Sequence, residues 1–176
     1  MSKVLIRPST DADVQTLAGF YFASVQTETA SWEYEPPSVE EFARRREAIL
    51  AQGFPYLTAE LDDHVVGYAY ASPYRTRTGY RFTVEDSVYI DPALKGKGIG
   101  KALLNALIQE CETRGYKQMI AVIGDSANVA SIRLHESCGF ETAGVFRNVG
   151  FKFERWLDSV QMQRSLGQID GSGDKS

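Results

Sequence analysis

Three glycines at alternate positions stand in Lys95-Gly96-Lys97-Gly98-Ile99-Gly100-Lys101. They follow a strand-like run and open a helical pattern, the arrangement of an anion site. Backbone without side chains approaches a phosphate closely, successive N–H groups point at it, and the helix dipole favours negative charge. Lys95, Lys97 and Lys101 add positive charge. The spelling narrows the anion. A dinucleotide fingerprint G-x-G-x-x-G fails because the third glycine comes one residue early, at Gly100. A nucleoside-triphosphate loop G-x-x-x-x-G-K-[ST] fails because Lys95 stands where a glycine is required and Ala102 replaces the magnesium-ligating hydroxyl. A pyrophosphate loop without a metal remains. Upstream, Tyr74-Arg75-Thr76-Arg77-Thr78-Gly79-Tyr80-Arg81 gathers three arginines before a strand, and such guanidinium forks can clamp a carboxylate or another oxyanion. The two cysteines, Cys111 and Cys138, and the two histidines, His64 and His135, form neither a disulfide framework nor a four-ligand zinc site.

The elements that must position these groups are legible from periodicity. Val4-Leu5-Ile6-Arg7 reads as a strand stopped by Pro8. Ser9 or Thr10 caps a helix carrying Val14, Leu17, Ala18, Tyr21 and Val25 at three- and four-residue steps. A loop from Thr29 to Pro37 follows. Ser38 starts a second helix that turns Val39, Phe42, Ile49 and Leu50 inward and leaves Arg44, Arg45 and Arg46 solvated. A hairpin is expected from Tyr56–Leu61 and Val65–Tyr70 about Asp62-Asp63. From Phe82 to Ile90 the chain alternates, with Val84, Asp86 and Val88 on one face and Glu85, Ser87 and Tyr89 on the other. The glycine loop feeds a helix ending at Gly115, and the unbroken apolar Met119–Ile123 reads as a strand covered on both faces. A short helix spans about Asn128 to Ser137, and Phe140–Val149 and Phe151–Met162 read as two closing strands. This order predicts an α/β three-layer domain in which the strands flanking the glycine-loop helix are parallel neighbours.

Composition excludes other classes. The 176 residues carry 43% hydrophobic and 11% aromatic side chains, enough for one core. A net charge of −4 argues against a nucleic-acid module driven by bulk charge. No apolar run is long enough to span a membrane, and the amino-terminal apolar stretch is too short for a secretory signal. The expectation is a cytoplasmic domain over residues 1–165 with a mobile tail over 166–176.

The loop and its surroundings resemble the coenzyme A-binding motif of the GNAT superfamily of N-acetyltransferases, usually written [Q/R]-x-x-G-x-[G/A]. The residues that carry the likeness are Val88-Tyr89-Ile90-Asp91-Pro92, the glycine loop and Ala102-Leu103-Leu104, with Lys95 at the first loop position. Asn128-Val129-Ala130-Ser131-Ile132-Arg133-Leu134-His135-Glu136-Ser137-Cys138-Gly139-Phe140 is similar to the second motif, N-x-x-A/S-x-x-L-Y-x-x-x-G-F. The resemblance implies a GNAT-type mixed, mostly antiparallel sheet with a central parallel strand pair and helices on both faces. It implies acetyl-CoA as co-substrate, held by Val88, Tyr89, Ile90, Gly96, Lys97, Gly98, Ile99, Gly100, Lys101 and Asn128. Where many members carry a tyrosine that protonates the leaving thiolate, this chain has His135, which either takes that role or packs against the cofactor.

Acetyl transfer to an amine needs a base, because amines bind as ammonium. Glu85 is the candidate. Backbone N–H groups around Val88 to Ile90 can face the thioester carbonyl if the strand splays from its neighbour. With Gly150-Phe151-Lys152-Phe153-Glu154-Arg155-Trp156-Leu157-Asp158, these pieces look like the phosphinothricin and methionine sulfone acetyltransferase branch. That likeness implies a small amino-acid analogue as substrate, with Arg75, Thr76, Arg77, Tyr80, Arg81, Glu85, Asp86 and Ser87 lining the acceptor pocket, and Trp32 packing on its apolar stem. It also implies a homodimer, with Lys152 reaching into the partner's site. A protein or peptide N-terminal acetyltransferase and a non-catalytic acyl-CoA sensor are the competing readings.

Overall fold

The computed structural model describes residues 4–169; residues 1–3 and most of the predicted tail, 170–176, lie outside it. Seven strands form one sheet: β1 (Leu5–Pro8), β2 (Tyr56–Leu61), β3 (His64–Pro73), β4 (Thr83–Ile90), β5 (Gln118–Gly124), β6 (Glu141–Lys152) and β7 (Arg155–Ser165). Their order is β1-β2-β3-β4-β5-β7-β6, with β4 and β5 the parallel pair and every other neighbour antiparallel. Helices α1 (Val14–Thr27) and α2 (Val39–Ala51) pack on one face, and α3 (Ile99–Thr113) on the other, with α4 (Val129–Ser137) beside β5. The expected element order and the parallel pair are as read from the sequence.

The two faces bury different chemistry because strand alternation sorts it. On the α3 side, Leu103, Leu104, Leu107 and Cys111 meet Ala59, Ala69, Val84 and Met119 in an aliphatic core. On the α1–α2 side, Tyr56, Tyr68, Tyr70 and Tyr89 stack with centroids 4.9–6.3 Å apart, and Tyr21 closes the row edge-on to Tyr89. Gly67 on β3 lets α3 approach: a Cβ there would lie 3.2 Å from Leu103 Cδ1 of α3, and 2.9 Å from the Tyr89 carbonyl oxygen of β4.

Three local expectations are corrected. Arg46 is not solvated; it is buried, and its guanidinium donates to Ser9 Oγ, the Ser9 carbonyl and Asp11 at 2.8–2.9 Å, tying α2 to the start of α1. The closing strands do not break at Gly150. β6 continues to Lys152 through an irregular register near Asn148, and the chain reverses at Phe153-Glu154, both left-handed with φ of 52° and 57°. Gly150 is needed elsewhere, since a side chain there would collide with the Trp32 ring. Leu166, assigned to the tail, is buried in the core, and its N–H donates to the Lys117 carbonyl.

Candidate active site

The site arises where two parallel strands part. β4 and β5 pair only over Thr83–Glu85 against Gln118–Ile120, and beyond Glu85 they diverge. An open wedge exposes backbone edges and side chains from both faces of the sheet, so neighbours that alternate on β4 reach the same space. Glu85, Asp86, Ser87, Val88 and Tyr89 of β4 and Ala121–Gly124 of β5 line a cavity of about 260 Å³, with Trp32, Asn128, Ser131 and His135. A second cavity of about 320 Å³ lies against it, lined by Val88, Tyr89, Ile90, Lys95, Gly96, Gly98, Gly100, Lys101 and Asn128. Ala30, Val88, Tyr89, Asn128, Ser131 and Leu134 belong to both walls, so the two spaces meet.

The second cavity fits an acyl-CoA pyrophosphate. Gly96 and Gly98 both adopt φ of 80°, and a Cβ there would meet nothing, so the requirement is conformational: a left-handed backbone that residues with a side chain rarely adopt. Gly98 is the N-cap of α3, which places the helix dipole at the same point. Gly100 is required for packing instead, because a Cβ would lie 2.8 Å from Ile90 Cδ1 and 3.2 Å from Leu134. Ile99 does not line the groove with its side chain, which is buried in the core, and Lys97 points to solvent. Asn128 caps α4, its Oδ1 accepting from the Ser131 N–H at 3.2 Å.

Glu85 is mostly enclosed. Burial, then the neighbouring Asp86 charge, push its pKa up to about 7, against the pull of Arg75. A carboxylate tuned to neutrality is suited to take a proton from an ammonium. Asp86 faces the other way and is not free: its Oδ2 lies 3.0 Å from His135 Nε2. His135 Nδ1 is 2.7 Å from the Ser131 carbonyl, so that nitrogen must carry a proton. Both ring nitrogens are thus engaged within the chain. Burial opposes the charged ring, but hydrogen bonding to Asp86, its charge and the Ser131 carbonyl outweigh that and raise the His135 pKa. The pair sits 5% and 8% exposed at the cavity floor.

The arginine loop stays outside the cavity. Arg75, Thr76, Arg77, Tyr80 and Arg81 are exposed, and none lines it. Arg75 stacks on Tyr74 and Arg81 on Phe82, in a loop whose turn at Thr78–Tyr80 leads into β4. Arg75 alone makes its charge felt at Glu85. Nor does Lys152 extend outward; its buried ammonium donates to the Glu28 and Ser31 carbonyls of its own chain. Sequence reasoning missed Tyr70, Ala30 and Ser131, of which only Ser131 lies in a recognisable motif. Among the described residues no three His, Cys, Asp or Glu side chains converge as a metal site.

Comparison with known proteins agrees with this geometry. Residues 20–140 match the model of the acetyltransferase (GNAT) family. The chain is 49% identical over 165 residues to a phosphinothricin N-acetyltransferase of Alcaligenes faecalis, covering 94% of this chain and 84% of that one. It is 39% identical over 163 residues to an L-methionine sulfoximine/L-methionine sulfone acetyltransferase of Salmonella typhimurium, covering 93% and 95%. A phosphinothricin acetyltransferase from Sinorhizobium meliloti, solved in complex with acetyl-CoA, superposes with a TM-score of 0.93 at 45% identity, over 97% of this chain and 92% of that one. A parted β4–β5 pair, a left-handed glycine turn at a helix mouth and a match across most of the domain lead to one assignment: the chain belongs to the GNAT family of acetyltransferases.

Proposed function

We propose that this protein acetylates the α-amine of a small amino acid or amino-acid analogue of the phosphinothricin, methionine sulfone or methionine sulfoximine type, with acetyl-CoA as donor. One observation carries the reading: two cavities share a wall, one lined by the left-handed glycine turn at the mouth of α3 and the other by Glu85, whose pKa burial pushes up to about 7. The relatives' substrates supply the chemical class. A space of about 260 Å³ accommodates a small acceptor.

The donor supplies a thioester, a carbonyl already activated toward nitrogen. Amides of Gly96 and Gly98 and the α3 N-terminus hold its phosphates. The β4 edge beyond Glu85, unpaired with β5, presents backbone N–H groups to the carbonyl oxygen as negative charge develops. Glu85 accepts the ammonium proton, directly or through water, and Arg75 at the rim attracts the acceptor's carboxylate. His135 braces Asp86 beneath the acceptor. Its nitrogens are committed there, which leaves the thiolate proton to another donor.

Release of free thiol from acetyl-CoA, followed across a panel of amino acids, analogues and short peptides, tests the assignment. Turnover is expected with methionine sulfone or phosphinothricin. Turnover restricted to peptides would replace this acceptor class, and binding of acetyl-CoA without any turnover would favour the sensor reading.

The proposal extends to assembly and location. Phe146 on one side of the β6–β7 ribbon, and Phe151 and Trp156 on the other, are exposed, which supports a homodimer through this end of the sheet. A cytoplasmic location accords with an acetyl-CoA donor and two unpaired cysteines.

A further inference from the structure

The segment between α1 and α2 is suspended across the mouth of the wedge, and three consecutive residues of β6 hold it by three different means. Gly150 leaves room for the Trp32 ring. The Phe151 carbonyl accepts a hydrogen bond from the Tyr34 hydroxyl. Lys152, 2% exposed, donates from Nζ to the Glu28 carbonyl at 2.9 Å and the Ser31 carbonyl at 2.7 Å. On the opposite side Thr29 Oγ1 donates to the Gly124 carbonyl of β5 at 2.7 Å. β5 and β6 are not neighbours, since β7 lies between them, so the segment bridges separate parts of the sheet.

A buried ammonium is a costly way to fill space; methionine would pack as well without desolvating a charge. What the ammonium adds is direction. Glu28 caps the carboxyl end of α1, where the dipole favours a cation, and the Phe153 ring lies 5.0 Å from Nζ. The two carbonyls held by Lys152 bracket Thr29 and Ala30, and Ser31 directly precedes Trp32. Ala30 borders both cavities, whereas Trp32 borders only the acceptor's.

We propose that Lys152 is a positioning residue for the acceptor: by fixing the Glu28 and Ser31 carbonyls it sets where Trp32 stands on the acceptor wall. The inference rests on the acetyltransferase reading above. It assigns Lys152 a task within its own chain and requires no contact with a second subunit's site.

The test uses the full chain carrying Trp156→Phe, so that Trp32 is the sole tryptophan and its emission reports its surroundings. Lys152→Met removes the donors while keeping length and apolar bulk. It is expected to red-shift Trp32 emission and raise the acceptor KM about tenfold, the factor set by loss of a charged hydrogen-bonded tether. The acetyl-CoA KM should move less than about twofold and kcat less than about threefold, a split that general loosening would not give. Lys152→Gln, which retains N–H donors without the charge, should fall between and carries the same measurements if the methionine variant does not fold. Unchanged emission and unchanged acceptor KM in either folded variant would overturn the inference, as would equal rises in both KM values. Failure of the unmodified enzyme to acetylate any amino acid would defeat the acetyltransferase reading instead. In that case the emission comparison still decides whether Lys152 places Trp32.

Discussion

Glu85 illustrates how a residue's neighbours define its chemistry. On an exposed strand it would be ionised throughout the neutral range; enclosed beside Asp86 its pKa rises to about 7. A base works only when deprotonated, so kcat/KM should climb as pH rises through about 7 and level off above it. Glu85→Gln should lower kcat/KM by about 10²–10⁴ and flatten that limb, which a pH–rate profile of both forms checks. The Asp86–His135 pair acts differently, because it is buried and internal. His135→Leu leaves a carboxylate without its partner and should cost about 3–5 kcal/mol of stability, measured by urea denaturation. His135 was legible as a motif residue, but its partner was not. The two are 49 positions apart, and strand alternation alone sends Asp86 away from Glu85 without saying what it meets.

At the scale of elements, local rules account for most of the fold. The Ser38 cap, whose Oγ accepts from the Glu41 N–H, the turn at Asp62-Asp63, and the glycine loop before α3 stand where residue type and spacing place them. Gly98→Ala would force a Cβ into a left-handed backbone and cost about 1 kcal/mol locally. Its expected mark is an acetyl-CoA KM raised several-fold with the acceptor KM little changed. The clamp between β1 and α1 is also electrostatic: Arg7 donates to both Asp13 oxygens at 2.7 and 2.8 Å. That bonding, against the cost of burial, lowers the Asp13 pKa from 3.8 to about 2. A depressed carboxylate stabilises the fold above its unfolded pKa and ceases to as pH falls through the folded one. The clamp's contribution, about 2 kcal/mol, should therefore vanish between roughly pH 4 and pH 2. Asp13→Asn should remove it at neutral pH as well, as denaturant midpoints at pH 7 and pH 3 would reveal. Elsewhere local signals misled. Gly150 fell between the two expected closing strands yet lies within β6 and serves as a flat seat for an indole, and the arginine run read as solvated although Arg46 is a buried tie.

For the whole molecule, the consequential event is the parting of β4 and β5 in the middle of the sheet, which opens the cavity that Glu85 lines. If the exposed aromatics on the two sides of the β6–β7 ribbon join two copies, replacing Phe146 and Trp156 together by glutamate should yield a monomer by light scattering. Survival of the dimer would place its interface elsewhere. By itself the sequence determined what depends on near neighbours along the chain: helix period, strand alternation, caps and the left-handed glycines at the mouth of α3. Each follows from interactions across a few residues, where chain connectivity already supplies proximity. Only the tertiary structure decided that Asp86 meets His135, that Lys152 holds a segment more than 120 positions away, and that the arginine loop stays at the rim. Those meetings are set by strand order and helix packing, and no local preference encodes the partner of a side chain that sheet topology brings in from a distant strand or helix.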